Sequence, residues 1–167
     1  MVETLVTDIP DALQDRIRQV LDRACGLERM LATAESCTGG LVASLFTDVE
    51  GSSHAFDRGY VVYTDRAKAD MLGVPPDLLN RHGAVSRPVA IAMADGTLDR
   101  SAAHVAFSVT GFAGPAGGAE EGLVHFGCAV RNRKTLHREE HFGSIGRSGV
   151  RLACLQVAVE MFEEGLE

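Results

Sequence analysis

Two short stretches of this sequence concentrate residue types that hold anions or attack carbonyl carbons. Glu35-Ser36-Cys37-Thr38-Gly39-Gly40 sets two hydroxyls, a thiol and two glycines between the apolar runs 30–34 and 41–46. Between a strand and a helix, such a turn aims several backbone N–H groups one way. That arrangement suits a phosphate, a carboxylate or a developing oxyanion. The competing reading is plain helix capping by Ser36 or Thr38, worth about 1 kcal/mol. The string has neither the spacing of a P-loop nor the Gly-x-Ser-x-Gly of a hydrolase elbow. Cys37 is an alternative nucleophile at the same turn, but no His partner is evident, so a small buried residue is the better reading. The second stretch, 110–118, is rich in glycine and follows an apolar run, so a ligand or another backbone can approach it closely. It lacks the Gly-x-Gly-x-x-Gly of a dinucleotide site.

Other candidates are plainer. Lys68 follows Tyr63-Thr64-Asp65-Arg66-Ala67 at a strand–helix junction, where most lysines are solvated surface. Arg147 and Arg151 lie one helical turn apart, either as surface charges or with one of them binding an anion. His137 and His141 share a strand face without a third ligand at a suitable spacing, so no metal is expected.

The elements that must position these residues follow from periodicity. Ile9, Leu13, Ile17, Val20, Leu21 and Ala24 recur at helical spacing over 8–25. Strands are expected at 30–34, 59–63, 105–110, 123–131 and 135–142, and helices at 41–46, from Asp65 to Leu72, around Leu78 and Leu79, from Ser86 to about Leu98, and from about Ser148. The alternation implies an α/β fold, a three-layer αβα sandwich with a mixed, mostly parallel sheet. Short connections among the last three strands predict at least one antiparallel pair.

With 167 residues the chain suits one domain, 1–167, with a full hydrophobic core. Its 18 glycines exceed the usual ~7% share, and six of them fall between Gly111 and Gly127. The net charge of −7 disfavours a nucleic-acid footprint or a basic membrane surface. No apolar run approaches the ~20 residues of a membrane span. The N-terminus is polar and the four cysteines are scattered, so a cytoplasmic location with free thiols is expected.

These pieces, in this order, resemble the CinA C-terminal domain family, whose founding members were labelled competence/damage-inducible proteins. The matching strings are Ala34-Glu35-Ser36-Cys37-Thr38-Gly39-Gly40, Gly51-Ser52-Ser53, Arg58-Gly59-Tyr60-Val61-Val62-Tyr63 with Lys68 downstream, and Leu72-Gly73-Val74. His82-Gly83-Ala84-Val85-Ser86 and Val109-Thr110-Gly111-Phe112-Ala113-Gly114-Pro115 complete them, so the resemblance runs from about Leu21 to Phe162. It implies a stand-alone version lacking the N-terminal domain of many members. It also implies nicotinamide-nucleotide amidase activity, with Ser36 as nucleophile, Lys68 as general base and Tyr63 assisting. Backbone groups around Thr38, Gly39 and Gly40 would cradle phosphate or form an oxyanion hole. Thr110, Gly111, Ala113 and Gly114 would form the opposite wall, and Arg147 would contact the substrate phosphate, with Arg151 as runner-up. The implied partner is a small nucleotide, with no cofactor, no nucleic acid, no membrane, and a homodimer as the expected assembly.

Two departures stand out. The glycine loop passes directly into Glu120-Glu121-Gly122, two residues shorter than the family pattern, and Ile145-Gly146-Arg147 replaces Gly-Asp-Arg. They leave open a second reading, a non-catalytic nucleotide-sensing or protein-binding module.

Overall fold

The computed structural model describes residues 8–167. Its elements follow the order α1 (Asp11–Gly26), β1 (Leu31–Glu35), α2 (Leu41–Thr47), η1 (Ser52–His54), β2 (Phe56–Val61), α3 (Asp65–Leu72), α4 (Pro76–His82), α5 (Arg87–Asp99), β3 (Val105–Gly111), β4 (Leu123–Val130), β5 (Leu136–His141) and α6 (Gly146–Gly165). The five strands form one sheet in the order β2-β1-β3-β4-β5. β1 pairs in parallel with β2 and β3, while β4 runs antiparallel to both β3 and β5. Four of the five strands therefore point the same way, and only β4 is reversed. Among the described residues no helix is long and apolar enough to cross a membrane.

Helices α1, α2 and α6 pack together on one face of the sheet, and α3, α4 and α5 pack together on the other. The parallel crossover from β1 to β2 through α2 and the one from β2 to β3 through α3, α4 and α5 run in opposite directions along the sheet, which puts their helices on opposite faces. The larger core lies under α1, α2 and α6, where the Phe162 ring meets Phe46 and Phe107 with centroids 5.0 and 5.7 Å away. On the other face, Ala32, Ala94, Ala103, Ala106 and Ala129 form a small-residue cluster that lets α5 ride close to the sheet. Gly96 makes the tightest approach: a Cβ there would lie 2.1 Å from the Leu72 carbonyl oxygen at the end of α3.

The expected helices and strands are present, with one shift of consequence. Strand β2 begins at Phe56, not Gly59, because Phe56 pairs with Leu31 across a register irregularity. The chain leaves the ladder after Val62 N–H donates to Glu35 O. Tyr63 then lies past the strand end, on the turn that leads into α3.

Candidate active site

In a sheet wound in both directions, the crevice beyond the strand ends at the reversal point is the usual place for a ligand. Here that point lies between β1 and β3, and Ser36 is the first residue past β1. Its N–H donates to Val109 O on β3, which ties the two strand ends together. Gly39 and Gly40 follow with φ of +64° and +97°, left-handed conformations that glycine adopts without strain. They reverse the chain into α2.

The turn is held from within by Glu35, which is 1% exposed. Its carboxylate accepts from Thr38 Oγ1 at 2.7 Å and from the N–H groups of Gly40, Val42 and Ala43 at 3.1, 3.0 and 2.8 Å. The α2 N-terminus is thus capped by a carboxylate five residues upstream of its first cap residue, and neither Ser36 nor Thr38 caps it. A buried anion at a helix N-terminus is favoured by the orphan N–H groups and the helix dipole. The N–H of Gly39 donates to Ser36 O. Among the described residues, the N–H groups of Cys37 and Thr38 are the ones in this turn left without a protein acceptor.

Lys68 comes from the first turn of α3, whose start is fixed by Thr64 Oγ1 accepting from Ala67 N–H at 3.0 Å. Its side chain runs inward and is 1% exposed. The Nζ lies 3.0 Å from Val62 O, 3.4 Å from Tyr63 O and 3.3 Å from Ser36 Oγ. Burial pushes the Lys68 pKa below its ordinary range, with Asp65 and Cys37 opposing. Arg66 plays no part in that shift; it pairs with Asp70 on the outer surface.

The other expected residues are distributed around this pair. Tyr63 touches Lys68 through its carbonyl, while the residue as a whole is 70% exposed. Thr110 is buried and donates from Oγ1 to Ala84 O. Gly111 sits against Val124, and Gly114 lies against the Arg147 guanidinium. Arg151 Nε donates to Cys37 O at 3.0 Å, and this guanidinium stands beside Gly39. With Thr38, Gly39, Gly40, Leu41 and Ser44 it lines an open cavity of about 230 Å³ on the α6 side of the turn. Cys37 is buried beside Cys154, whose pKa that neighbour and burial raise well above its ordinary value. All four cysteines are free. The capping role of Glu35 was not legible in the sequence: its only signal is an acid just before a glycine-rich helix start.

A family model for the CinA C-terminal domain matches residues 13–166. The chain is 45% identical over 133 residues to the nicotinamide-nucleotide amidohydrolase PncC of Escherichia coli K12, covering 78% of this chain and 80% of that one. It is 58% identical over 107 residues to a putative competence-damage inducible protein of Symbiobacterium thermophilum, covering 62% of this chain. The match spans only 25% of that longer relative. The crystal structure of competence/damage inducible protein CihA from Agrobacterium tumefaciens superposes with a TM-score of 0.93 at 44% identity, covering 97% of this chain and 100% of that one. An Escherichia coli CinA superfamily structure gives 0.87 at 30% identity, covering 96% and 95%. With a family model matched from the first helix to the last, the chain belongs to the CinA C-terminal domain family.

Proposed function

We propose that this protein is an amidohydrolase that converts nicotinamide mononucleotide and water to nicotinate mononucleotide and ammonia, using Ser36 and Lys68. The observation that carries the reading is the buried lysine amine within reach of the Ser36 hydroxyl. A neutral amine has two N–H groups and one lone pair. Two backbone carbonyls, Val62 O and Tyr63 O, take the N–H groups, which turns the lone pair toward Ser36 Oγ. The 3.3 Å separation is slightly long for a base and its proton, as sites are before substrate tightens them.

In the first step Ser36 Oγ attacks the carboxamide carbon while Lys68 Nζ takes its proton. The negative charge that builds on the carboxamide oxygen is received by the N–H groups of Cys37 and Thr38. The tetrahedral intermediate collapses as the Lys68 ammonium returns a proton to the departing nitrogen, so ammonia leaves and an ester on Ser36 remains. Water, giving its proton to the again neutral Lys68, attacks that ester, and the Lys68 ammonium returns the proton to the departing Ser36 Oγ, which releases nicotinate mononucleotide and restores both groups. Glu35 positions the turn without touching the reacting atoms. Tyr63 contributes its carbonyl to Lys68 and presents its phenol on the open side, where substrate enters. Arg147 and Arg151, one turn apart on α6, stand between the glycine loop and the nucleophile turn. We assign the phosphate contact to Arg147, with Arg151 beside it. Support from relatives comes from the PncC amidohydrolase, which is similar over most of both chains.

The test is ammonia release from nicotinamide mononucleotide by the purified protein. Wild type is expected to turn over, and Ser36→Ala to lose at least about a thousandfold in kcat. Undiminished release by Ser36→Ala, or none by wild type, rejects the reading.

A further inference from the structure

The β4–β5 side of the sheet carries a second cluster of chemically competent side chains that the amidase reading does not use. His125 on β4 lies opposite Glu139 on β5, and His137 is two residues from Glu139 on the same strand face. One ligand atom from each of the three lies within 4.8 Å of the others. His125 Nδ1 is 3.1 Å from His137 Nε2 and 3.5 Å from Glu139 Oε2. Two nitrogens bound to one tetrahedral zinc at ~2.05 Å are separated by about 3.3 Å. The two pairs that include His125 thus already stand near the spacing that a shared ion imposes.

We infer that His125, His137 and Glu139 form a binding site for one divalent transition ion, of the Zn²⁺ class, with a fourth position open to water or a small anion. Two imidazole nitrogens are borderline donors, and beside a single carboxylate they favour zinc over magnesium or calcium. The carboxylate is oriented as metal-bound carboxylates are, since Glu139 Oε1 lies 3.0 Å from His141 Nε2. His141 Nδ1 in turn lies 2.7 Å from Glu120 Oε1, on the segment joining the glycine loop to β4. An ion here therefore fastens the edge strand β5 to β4, and through Glu139 and His141 it steadies the glycine loop.

The position relative to Ser36 follows from the sheet. Thr110 on β3 is the register partner of His125. Thr110 and Ser108 both reach the α5 layer through their hydroxyls, and a Cβ on Gly127 would meet Ala90 O on α5. Alternation places His125 on that same face, two strand spacings or roughly 10 Å across the sheet from β1. The ion is thus a neighbour of the proposed site and no part of its serine chemistry.

The competing arrangement is a plain hydrogen bond between the two imidazoles, and a zinc titration separates them. Metal-stripped protein titrated calorimetrically with Zn²⁺ alone is expected to bind one equivalent per chain in the micromolar range or tighter, with a raised Tm. Long-range ¹⁵N–¹H spectra of the imidazoles should show His125 Nδ1 and His137 Nε2 moving to metal-bound shifts. Glu139→Gln, an isosteric change at an exposed position, and His137→Gln should each weaken binding by at least about tenfold. No saturable binding by wild type overturns the inference, as do metal shifts confined to other histidines. Equal affinity in both variants does so too. None of these readings depends on amidase activity.

Discussion

At the residue scale, the site depends on a lysine that the fold keeps from behaving as one. Lys68 is buried, and burial lowers its pKa from the ordinary value near 10.5. The limb of kcat/KM that rises with pH should therefore report Lys68 losing its proton below that value. Lys68→Arg, permanently charged, is expected to lose at least about a hundredfold in kcat. The same shift is a stability statement. Between its folded and unfolded pKa values Lys68 binds more protons in the unfolded chain, so stability climbs with pH through that window. Above the unfolded value the contribution is complete, and it is lost as pH falls through the folded one. Denaturant titrations from neutral pH to about 10 should show this slope in wild type, and Lys68→Met should flatten it. An equal slope in both would place the titration elsewhere.

At the scale of elements, α2 and the turn that carries Ser36 are one unit because Glu35 holds both. Its carboxylate accepts from one hydroxyl and three N–H groups of the segment 38–43. Glu35→Gln keeps the shape but replaces one oxygen with a donor that faces other donors. The expected cost is about 2–3 kcal/mol in denaturant unfolding. Because the turn sets where Ser36 stands, kcat should fall while KM changes little; retained kcat with lost stability would make Glu35 a helix cap only. The elements themselves were largely legible. Apolar spacing located α1, α5 and α6, and the glycine pairs marked the turns. The start of β2 was not, because its extent depends on pairing Phe56 with Leu31 across the chain. Likewise Ser36 and Thr38 have the residue types of helix caps, and only folding shows that a more distant carboxylate takes that place.

At the scale of the whole molecule, the proposed catalytic pair joins two layers. Ser36 stands on the turn directly after β1, Lys68 lies on α3, and α3 is held in place by α5 at Gly96. Gly96→Ala would drive a methyl into the Leu72 carbonyl, forcing the two helices apart at an expected cost of about 1–3 kcal/mol. Activity should fall by more than the fraction of protein unfolded, measured by ammonia release at a temperature where circular dichroism shows the variant folded. Unchanged specific activity would show that α3 tolerates the shift.

The strings around Ser36, Lys68 and Thr110, together with the alternation of apolar runs, were enough to name an α/β sandwich and its family. They are local properties: residue type, short spacing and turn chemistry are written along the chain. What tertiary structure decided is everything that depends on neighbours distant in sequence. It buried the Lys68 amine 32 residues from its serine and turned it from a surface charge into a candidate base. It set Arg151 beside Cys37 and Gly39, and Arg147 against Gly114. It also brought His125 across from Glu139, giving a third ligand that no spacing within one strand could reveal. Burial and strand register are set by the packing of the whole chain, and they govern both whether an amine is neutral and which side chains meet.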